Sequence, residues 1–254
     1  MIATLVWLAQ ILAGPVAAGA AAAFPELPPL AVIERYEAAL KKVREPPAIT
    51  FDYKLEQTGL RTALQTHRVF RSGNDERDET LTVDGKRLSP PKVRIFRGRR
   101  NRYTIESLAP HPAEYKFAYL GSRKDGHHVD YLFRLTPTAV RPFAVTDVAI
   151  DGVRFLPLSI GFATGLNEGA GTITFGSNAR WWVPYVATAR ATIADAPATE
   201  RLTFYTYRFP LTLPESTFTQ AHRAAPRARS APLVPPVPAP AVPQTPGRAG
   251  SPRD

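Results

Sequence analysis

Residues 155–165, 169–193 and 200–218 read FLPLSIGFATG, GAGTITFGSNARWWVPYVATARATI and ERLTFYTYRFPLTLPESTF, and these three stretches decide the fold class. In each stretch, apolar residues alternate with small or polar ones. Side chains of a β-strand point to opposite faces with a period of two, so each stretch predicts strands with one apolar face. Glycine, asparagine and proline between the stretches predict turns. Strands joined in this way favour an antiparallel meander.

The same alternation appears upstream, from residue 49 to residue 150, and the whole chain shows about ten or eleven such segments. They include a more polar pair at 64–71 and 77–83, and shorter segments at 93–96 and 103–108. With so many strands and one early helix, the sequence predicts a mainly β fold. We expect one strongly curved antiparallel sheet, and the alternation alone leaves open whether that sheet is closed or open.

Residues 28–44 form the one clear helical pattern. An apolar stripe recurs at helical spacing through Leu30, Ile33, Tyr36, Leu40 and Val43, with charged residues between its members. Prolines at 28 and 29 suit a first helical turn, and prolines at 46 and 47 end the helix. We therefore expect this helix to pack on the sheet.

Both ends of the chain differ from the middle. Residues 1–13 are apolar apart from two positions, Gly14 and Pro15 follow, and an alanine-rich run ends at Ala23. This pattern predicts a secretory signal peptide over residues 1–23, although no basic residue precedes Arg35. A retained membrane anchor and a cytosolic chain are the alternatives. At the other end, residues 219–254 are rich in proline, alanine and arginine and predict a disordered tail.

Composition narrows the possible functions. The chain has 254 residues, a formal net charge of +10 and no cysteine, so disulfides, thiolate metal sites and lipid attachment to an N-terminal cysteine are excluded. A basic charge in a cytosolic protein would point to nucleic acid. An exported chain meets little nucleic acid, so the signal pattern argues against that partner.

No catalytic motif stands out. The five histidines are scattered, His127 and His128 are adjacent and point to opposite faces of a strand, and the sequence contains neither HExxH nor GxSxG. We therefore predict no catalytic residue, no metal and no cofactor. A hydrolase of envelope polymer, which would need two facing carboxylates, stays as a less favoured alternative.

Arginines cluster between residues 94 and 102. A charged hairpin tip exposed to solvent explains such a cluster, because turns collect charge. The functional alternative is contact with anionic lipid headgroups or an anionic envelope partner. The residues assigned to that contact are Arg94, Arg97, Arg99, Arg100 and Arg102.

The order of short motifs resembles a known family. Leu-Pro stands at 156–157, Gly-Ala-Gly at 169–171 leads into TITF, Trp-Val-Pro opens the next strand at 182–184, and LTFYTYRF and LPESTF follow at 202–209 and 213–218. This order resembles the second half of the lipoprotein localisation factor superfamily, the LolA/LolB-like carriers. The resemblance implies an open half-barrel over residues 24–218, with the N-terminal helix across its concave face.

The resemblance also implies a function: an exported, non-enzymatic, monomeric carrier that holds lipid or lipoprotein acyl chains in an apolar cavity. An acyl chain that leaves a membrane loses about 0.8 kcal/mol per methylene, so only wide apolar burial could compensate. The alternative within the same fold is a periplasmic sensor or regulatory binding module. The residues predicted to contact the ligand are Phe51, Tyr53, Phe117, Tyr119, Tyr131, Phe133, Leu158, Ile160, Phe162, Ile173, Phe175, Tyr205 and Tyr207.

Overall fold

The structure, a computed structural model, describes residues 26–59, 62–98, 104–125, 128–165, 169–193 and 195–219. The predicted signal peptide at 1–23 lies outside these residues, as does the predicted tail apart from Thr219. Within the described ranges, no helix is both long enough and apolar enough to cross a membrane.

Within these described ranges, eleven strands form one antiparallel sheet, in agreement with the predicted fold class. Their order across the sheet is β4-β3-β2-β1-β11-β10-β9-β8-β7-β6-β5, so β4 and β5 are the two edges and the sheet is open and curved. The strands are β1 (Ala48–Thr58), β2 (Ala63–Ser72), β3 (Asp75–Val83), β4 (Lys86–Phe96), β5 (Tyr115–Asp125), β6 (His128–Pro137), β7 (Phe143–Ile150), β8 (Pro157–Thr164), β9 (Ala170–Asn178), β10 (Trp181–Ile193) and β11 (Ala196–Arg208).

The single helix of the sequence pattern is α1 (Pro29–Leu40), which ends earlier than the predicted limit at residue 44. Val32 and Tyr36 are its buried residues, and they belong to the same core as the inward side chains of the sheet. The Tyr36 hydroxyl donates to the carbonyl of Pro110 at 3.0 Å. The predicted stripe was wrong at Leu30, which is 75% exposed, because that residue lies in the first turn and points away from the sheet.

A short helix replaces one predicted strand. Residues 103–108 alternate like a strand, yet Ile105–Leu108 form one helical turn, α2. Thr104 caps this turn and Ser107 reaches back to the backbone of Thr104, which makes a reciprocal capping box. These local hydrogen bonds stabilise the turn where period-two spacing alone favours a strand.

Strand β4 is longer than the sequence pattern indicates. The prediction covered only residues 93–96. Pro90 and Pro91 come just before this segment, and proline normally interrupts a strand. In the structure both prolines lie within β4, with a cis peptide bond between Ser89 and Pro90. Since β4 is an edge of the sheet, the missing N–H groups of proline need not break the ladder to β3.

Strand β11 contains an irregularity that changes which residues point inward. Its pairing with β1 shifts between Asp52, opposite Tyr205, and Thr50, opposite Arg208, and Thr206 has a φ of 56°. The bulge buries Phe204 and leaves Tyr205 41% exposed. The prediction that Tyr205 points inward with Tyr207 was therefore wrong, because strict alternation does not pass through a bulge.

Candidate functional site

A cavity of about 270 Å³ lies where the chain leaves α1 and meets the centre of the sheet. Its floor comes from strands β1, β2, β10 and β11, and its cover comes from the segment after α1 and the start of α2. The apolar and aromatic side chains of this lining are Val43, Pro46, Pro47, Ile49, Phe51, Ile105, Trp182, Val183, Pro184, Phe204 and Tyr207.

Three aromatic rings form the floor of the cavity. The Phe51 ring lies 5.8 Å from Phe204, edge to face, and 5.6 Å from Tyr207. The Tyr207 hydroxyl donates to the carbonyl of Pro184, and burial raises the pKa of Tyr207 far above its ordinary value. This phenol is therefore neutral at any physiological pH and behaves as part of an apolar surface.

One side of the cavity carries charged side chains that pair with each other. The Arg71 guanidinium lies 5.6 Å from the centre of the Phe51 ring and donates to Glu76 at 2.8 and 3.1 Å. Their side chains are only 12% and 9% exposed. Across the cavity, Glu106 accepts the backbone N–H of Glu45 at 3.0 Å, which fixes the segment after α1 to α2.

The other half of the concave face has its aromatic side chains in mutual contact. Tyr36 of α1 lies 6.0 Å from Phe117, which lies 5.8 Å from Phe133, and Tyr119 lies 5.4 Å from Phe133. The Tyr131 hydroxyl accepts the N–H of Leu27, which holds the chain just before α1 onto β6. Here the helix itself occupies the space that an open half-barrel would leave for a ligand.

The cavity therefore takes in only part of the predicted ligand set. Phe51 and Tyr207 line it directly. Several other predicted contacts are core residues away from it, namely Tyr53, Phe117, Tyr119, Tyr131, Phe133, Ile160, Ile173 and Phe175. The sequence pattern missed Phe204 because of the bulge, and it missed Ile49, Trp182 and Val183 because they lie at strand ends. Proximity to the Pro46-Pro47 break was the signal available for Ile49.

Leu158 and Phe162 occupy special positions on β8. Leu158 is the extra residue at a register shift, since Ala149 pairs with Ser159 and Ile150 pairs with Pro157, and Pro157 takes the buried place. The Phe162 ring stacks on Phe143 at 5.0 Å and covers Gly171, where an added Cβ would come within 2.4 Å of the ring. The second glycine of the Gly-Ala-Gly motif, Gly171, thus leaves room for an aromatic ring to pack against the backbone.

Beside the cavity, strands β1, β2 and β3 hold a buried polar cluster. His67 is 4% exposed; its Nδ1 lies 2.7 Å from one carboxylate oxygen of Asp78, and its ring stacks on Tyr53 at 4.5 Å. The Tyr53 hydroxyl donates to the other oxygen of Asp78 at 3.0 Å. Burial and the Asp78 carboxylate both raise the pKa of Tyr53 above its ordinary value, so its proton stays on the phenol.

His67 and Asp78 are paired as in a catalytic histidine–aspartate pair, but the group that faces the other ring nitrogen of His67 is not a nucleophile. His67 Nε2 lies 3.0 Å from the side-chain oxygen of Gln65, and rotation of that amide would offer a donor in its place. Glu76, which lies on β3 like Asp78, forms a salt bridge with Arg71. Within the described residues, no three His, Asp or Glu side chains are placed to hold a metal ion. The geometry is that of a fully hydrogen-bonded packing element.

The predicted arginine cluster is divided. Arg94 is exposed on β4, opposite Asp78 in the register. Arg97 is used internally, because its guanidinium contacts Asp75 and donates to the carbonyl of Phe218 at 2.8 Å. The predictions for Arg99, Arg100 and Arg102 lie outside the described residues.

No protein-family model matches the chain, and no curated protein matches it. Solved structures similar to it include a LolA superfamily protein from Nitrosomonas europaea, with 12% identity, 77% of this chain and 99% of that chain covered, and a TM-score of 0.43. A putative outer membrane lipoprotein-sorting protein domain from Vibrio parahaemolyticus has 15% identity, coverages of 73% and 95%, and a TM-score of 0.43. A MucA/MucB complex from Pseudomonas aeruginosa has 11% identity, coverages of 74% and 94%, and a TM-score of 0.23.

Proteins of the superfamily named by the sequence resemblance are thus among the similar structures.

Proposed function

We propose that this chain is an exported, non-enzymatic binding protein that takes an acyl segment of a lipid or lipoprotein into the cavity beside α1. The observation that supports it best is the cavity itself, an apolar space with an aromatic floor between helix and sheet. Its 270 Å³ exceeds the about 150 Å³ that holds a benzene molecule, and it approaches the about 300 Å³ at the lower end of small-molecule pockets.

The size of the cavity sets how much of a ligand can be bound. Each buried methylene contributes about 0.8 kcal/mol, so a chain of about 15 carbons needs about 12 kcal/mol of compensating burial. A cavity of this volume suits one chain segment, and longer chains require α1 to move away from the sheet. In our proposal Phe51 and Tyr207 contact the ligand first, and Tyr119, Phe117 and Phe133 contact it only after such a movement.

Mass spectrometry of the purified protein for co-purifying lipid, together with displacement of a bound fluorescent fatty acid, tests the proposal. We expect Val183→Trp and the milder Ile49→Phe, which fill the cavity, to weaken fatty-acid binding at least tenfold. The control matched to Ile49→Phe is Tyr205→Trp, which adds a similar bulk on the opposite face of the sheet next to Phe204.

Wild-type protein that carries no lipid and displaces no probe would refute the proposal. Unchanged binding in folded Ile49→Phe protein would show that the ligand lies elsewhere. Circular dichroism of each variant establishes that the fold is intact before binding is compared.

A second candidate is a regulatory module of the same fold that accepts an anchoring side chain of a protein partner. Side chains and α1 fill the other half of the concave face, which favours this candidate. A cavity of 270 Å³ is small for an acyl carrier but large enough for one aromatic anchor. A pull-down with and without residues 220–254 separates the two candidates. A carrier keeps its lipid in the shortened chain, whereas a module that docks through the tail loses its partner.

A further inference from the structure

One end of the sheet carries an unusual combination of side chains. It is the end where the 150–157 turn joins β7 to β8, where β9 passes to β10 around residue 180, and where β11 exits after Arg208. The cavity lies at the same end, since Trp182, Pro184 and Tyr207 belong to its lining. We call the exposed and partly buried side chains at this end of the sheet the rim; its members are Val153, Arg154, Arg180, Trp181, Trp182, Phe209 and Leu211.

Aromatic rings run from the cavity wall to the outside of the rim. Tyr207 stacks on Phe209 at 6.2 Å with an interplanar angle of 4°, and Phe209 lies 6.1 Å from Trp181. Trp181, Trp182 and Phe209 are all partly buried. The rings therefore form a continuous apolar path from the aromatic floor of the cavity to the solvent.

Arginines cover the two indole rings from outside. The Arg154 guanidinium lies 5.3 Å from the centre of Trp182, and that of Arg180 lies 4.7 Å from the centre of Trp181. Two aliphatic side chains close in sequence to the rim rings and arginines are exposed: Val153, which precedes Arg154, by 55%, and Leu211, two residues after Phe209, by 80%.

Three acidic residues at this end of the sheet have intramolecular partners. Asp151 accepts the backbone N–H groups of Val153 and Arg154 through its side chain. Asp75 contacts Arg97, and Glu76 accepts from Arg71. Among the rim side chains the charged ones are Arg154 and Arg180, and both are exposed.

From this arrangement we infer that the rim docks on an anionic lipid bilayer surface and points the cavity at the membrane. Tryptophan, with an apolar ring and one polar N–H, collects at the level of lipid headgroups. Exposed Val153 and Leu211 can enter the boundary of the acyl region, and arginines at the surface attract anionic headgroups. This docking goes beyond acyl binding and does not depend on it.

Tryptophan fluorescence measures the docking directly. The sequence has three tryptophans, so a Trp7→Phe background leaves only Trp181 and Trp182 to report. We expect the emission of the full chain to shift to the blue with phosphatidylcholine vesicles that contain a quarter phosphatidylglycerol. The shift should be much smaller with pure phosphatidylcholine, and it should decline as salt is added.

A charge-matched pair of variants tests where the contact lies. Arg154→Gln with Arg180→Gln should lower the partition coefficient onto anionic vesicles about thirtyfold, from the usual contribution of two basic residues near such a surface. The control, Arg190→Gln with Arg201→Gln, removes the same charge from exposed positions. Arg190 lies nine residues along β10 from Trp181, about 30 Å away, so the control should retain binding.

A second variant tests the apolar part of the contact. Leu211→Ser should lower the partition coefficient at high salt as well as at low salt, because the loss is not electrostatic. The inference is overturned if the rim pair binds like wild type, if the control pair loses as much as the rim pair, or if only a protein partner and no vesicle shifts the emission. Fatty-acid displacement uses no vesicles, so its result is independent of this one.

Discussion

Strands β3 and β6 bury alternate residues on the concave face of one sheet, but with opposite chemistry. On β6 the buried set includes Tyr131, Phe133 and Leu135, which pack under α1. On β3 the buried residues are Glu76, Asp78 and Thr80. One sheet thus has an apolar half under its helix and a half in which polar side chains are buried beside the cavity.

The difference shows two ways of closing a concave face. Apolar side chains need only volume and contact, which α1 supplies through Val32 and Tyr36. Polar side chains need partners, and within the described residues no buried side-chain nitrogen or oxygen lacks a hydrogen bond. The cavity lies between the apolar half and the polar half, where neither α1 nor the polar cluster fills the space.

The largest effect should come from the apolar half. Phe133→Ala removes a ring that is 1% exposed and touches both Phe117 and Tyr119, so it should lower the free energy of unfolding by about 3–5 kcal/mol. Urea denaturation measures this. Tyr205→Ala on the opposite face is the control and should change stability by about 0.5 kcal/mol or less. Equal effects of the two variants would contradict the division of the faces.

The polar half should respond to the loss of a single acceptor. Asp78→Ala leaves the His67 ring and the Tyr53 hydroxyl without their partner in a buried site, at a cost of about 1–3 kcal/mol per unsatisfied group. Tyr53→Phe removes only one donor and should cost about 1 kcal/mol. If Asp78→Ala were as stable as wild type, the cluster would not be a closed packing element.

The bulge that joins the two halves should tolerate glycine. Thr206 has a φ of 56°, which costs a β-branched residue about 1–2 kcal/mol, whereas glycine adopts this conformation freely. Thr206→Gly should therefore be neutral or stabilise the fold by about 1 kcal/mol. Thr203→Gly on the same strand is the control and should destabilise it. Destabilisation of both variants to the same degree would show that the bulge is not strained.

The smallest effect should come from the end of the chain that precedes α1. Tyr119 donates to Glu26 at 2.5 Å, and this hydrogen bond lowers the pKa of Glu26 below its ordinary value of 4.5. A lowered pKa in the folded state contributes stability above the unfolded value, and that contribution is lost as the pH falls below about 4.5. Glu26→Gln should lack this slope, and thermal unfolding between pH 3 and pH 6 measures the difference. Parallel pH profiles of the two proteins would contradict it.

The alternation of apolar and polar residues predicted the strands and their number well, because a period of two can be read from neighbouring residues of the sequence. It was less successful at Tyr205 and Leu158, which lie at register shifts. A bulge depends on how two strands pair, and pairing is not visible in one strand. The helical turn at Ile105 was missed for a different reason, since a local capping box between Thr104 and Ser107 decided it over period-two spacing.

The candidate site was only partly predictable. Phe51 and Tyr207 were identified as inward aromatics, but the same signal marked Phe133 and Ile160, which are core. An inward aromatic ring has the same pattern whether it faces another ring or an empty space. Only the position of α1 over one half of the sheet distinguishes the two.

The sequence alone determined a mainly β chain with one early helix, because side-chain periodicity is a local property of the residues. The tertiary structure decided where α1 lies, which polar side chains on β3 found partners, and where space was left between them. Those outcomes depend on contacts between residues far apart in the chain, such as Tyr36 with Pro110 or Phe51 with Phe204. Packing and hydrogen bonding across such distances are set only once the whole sheet has formed.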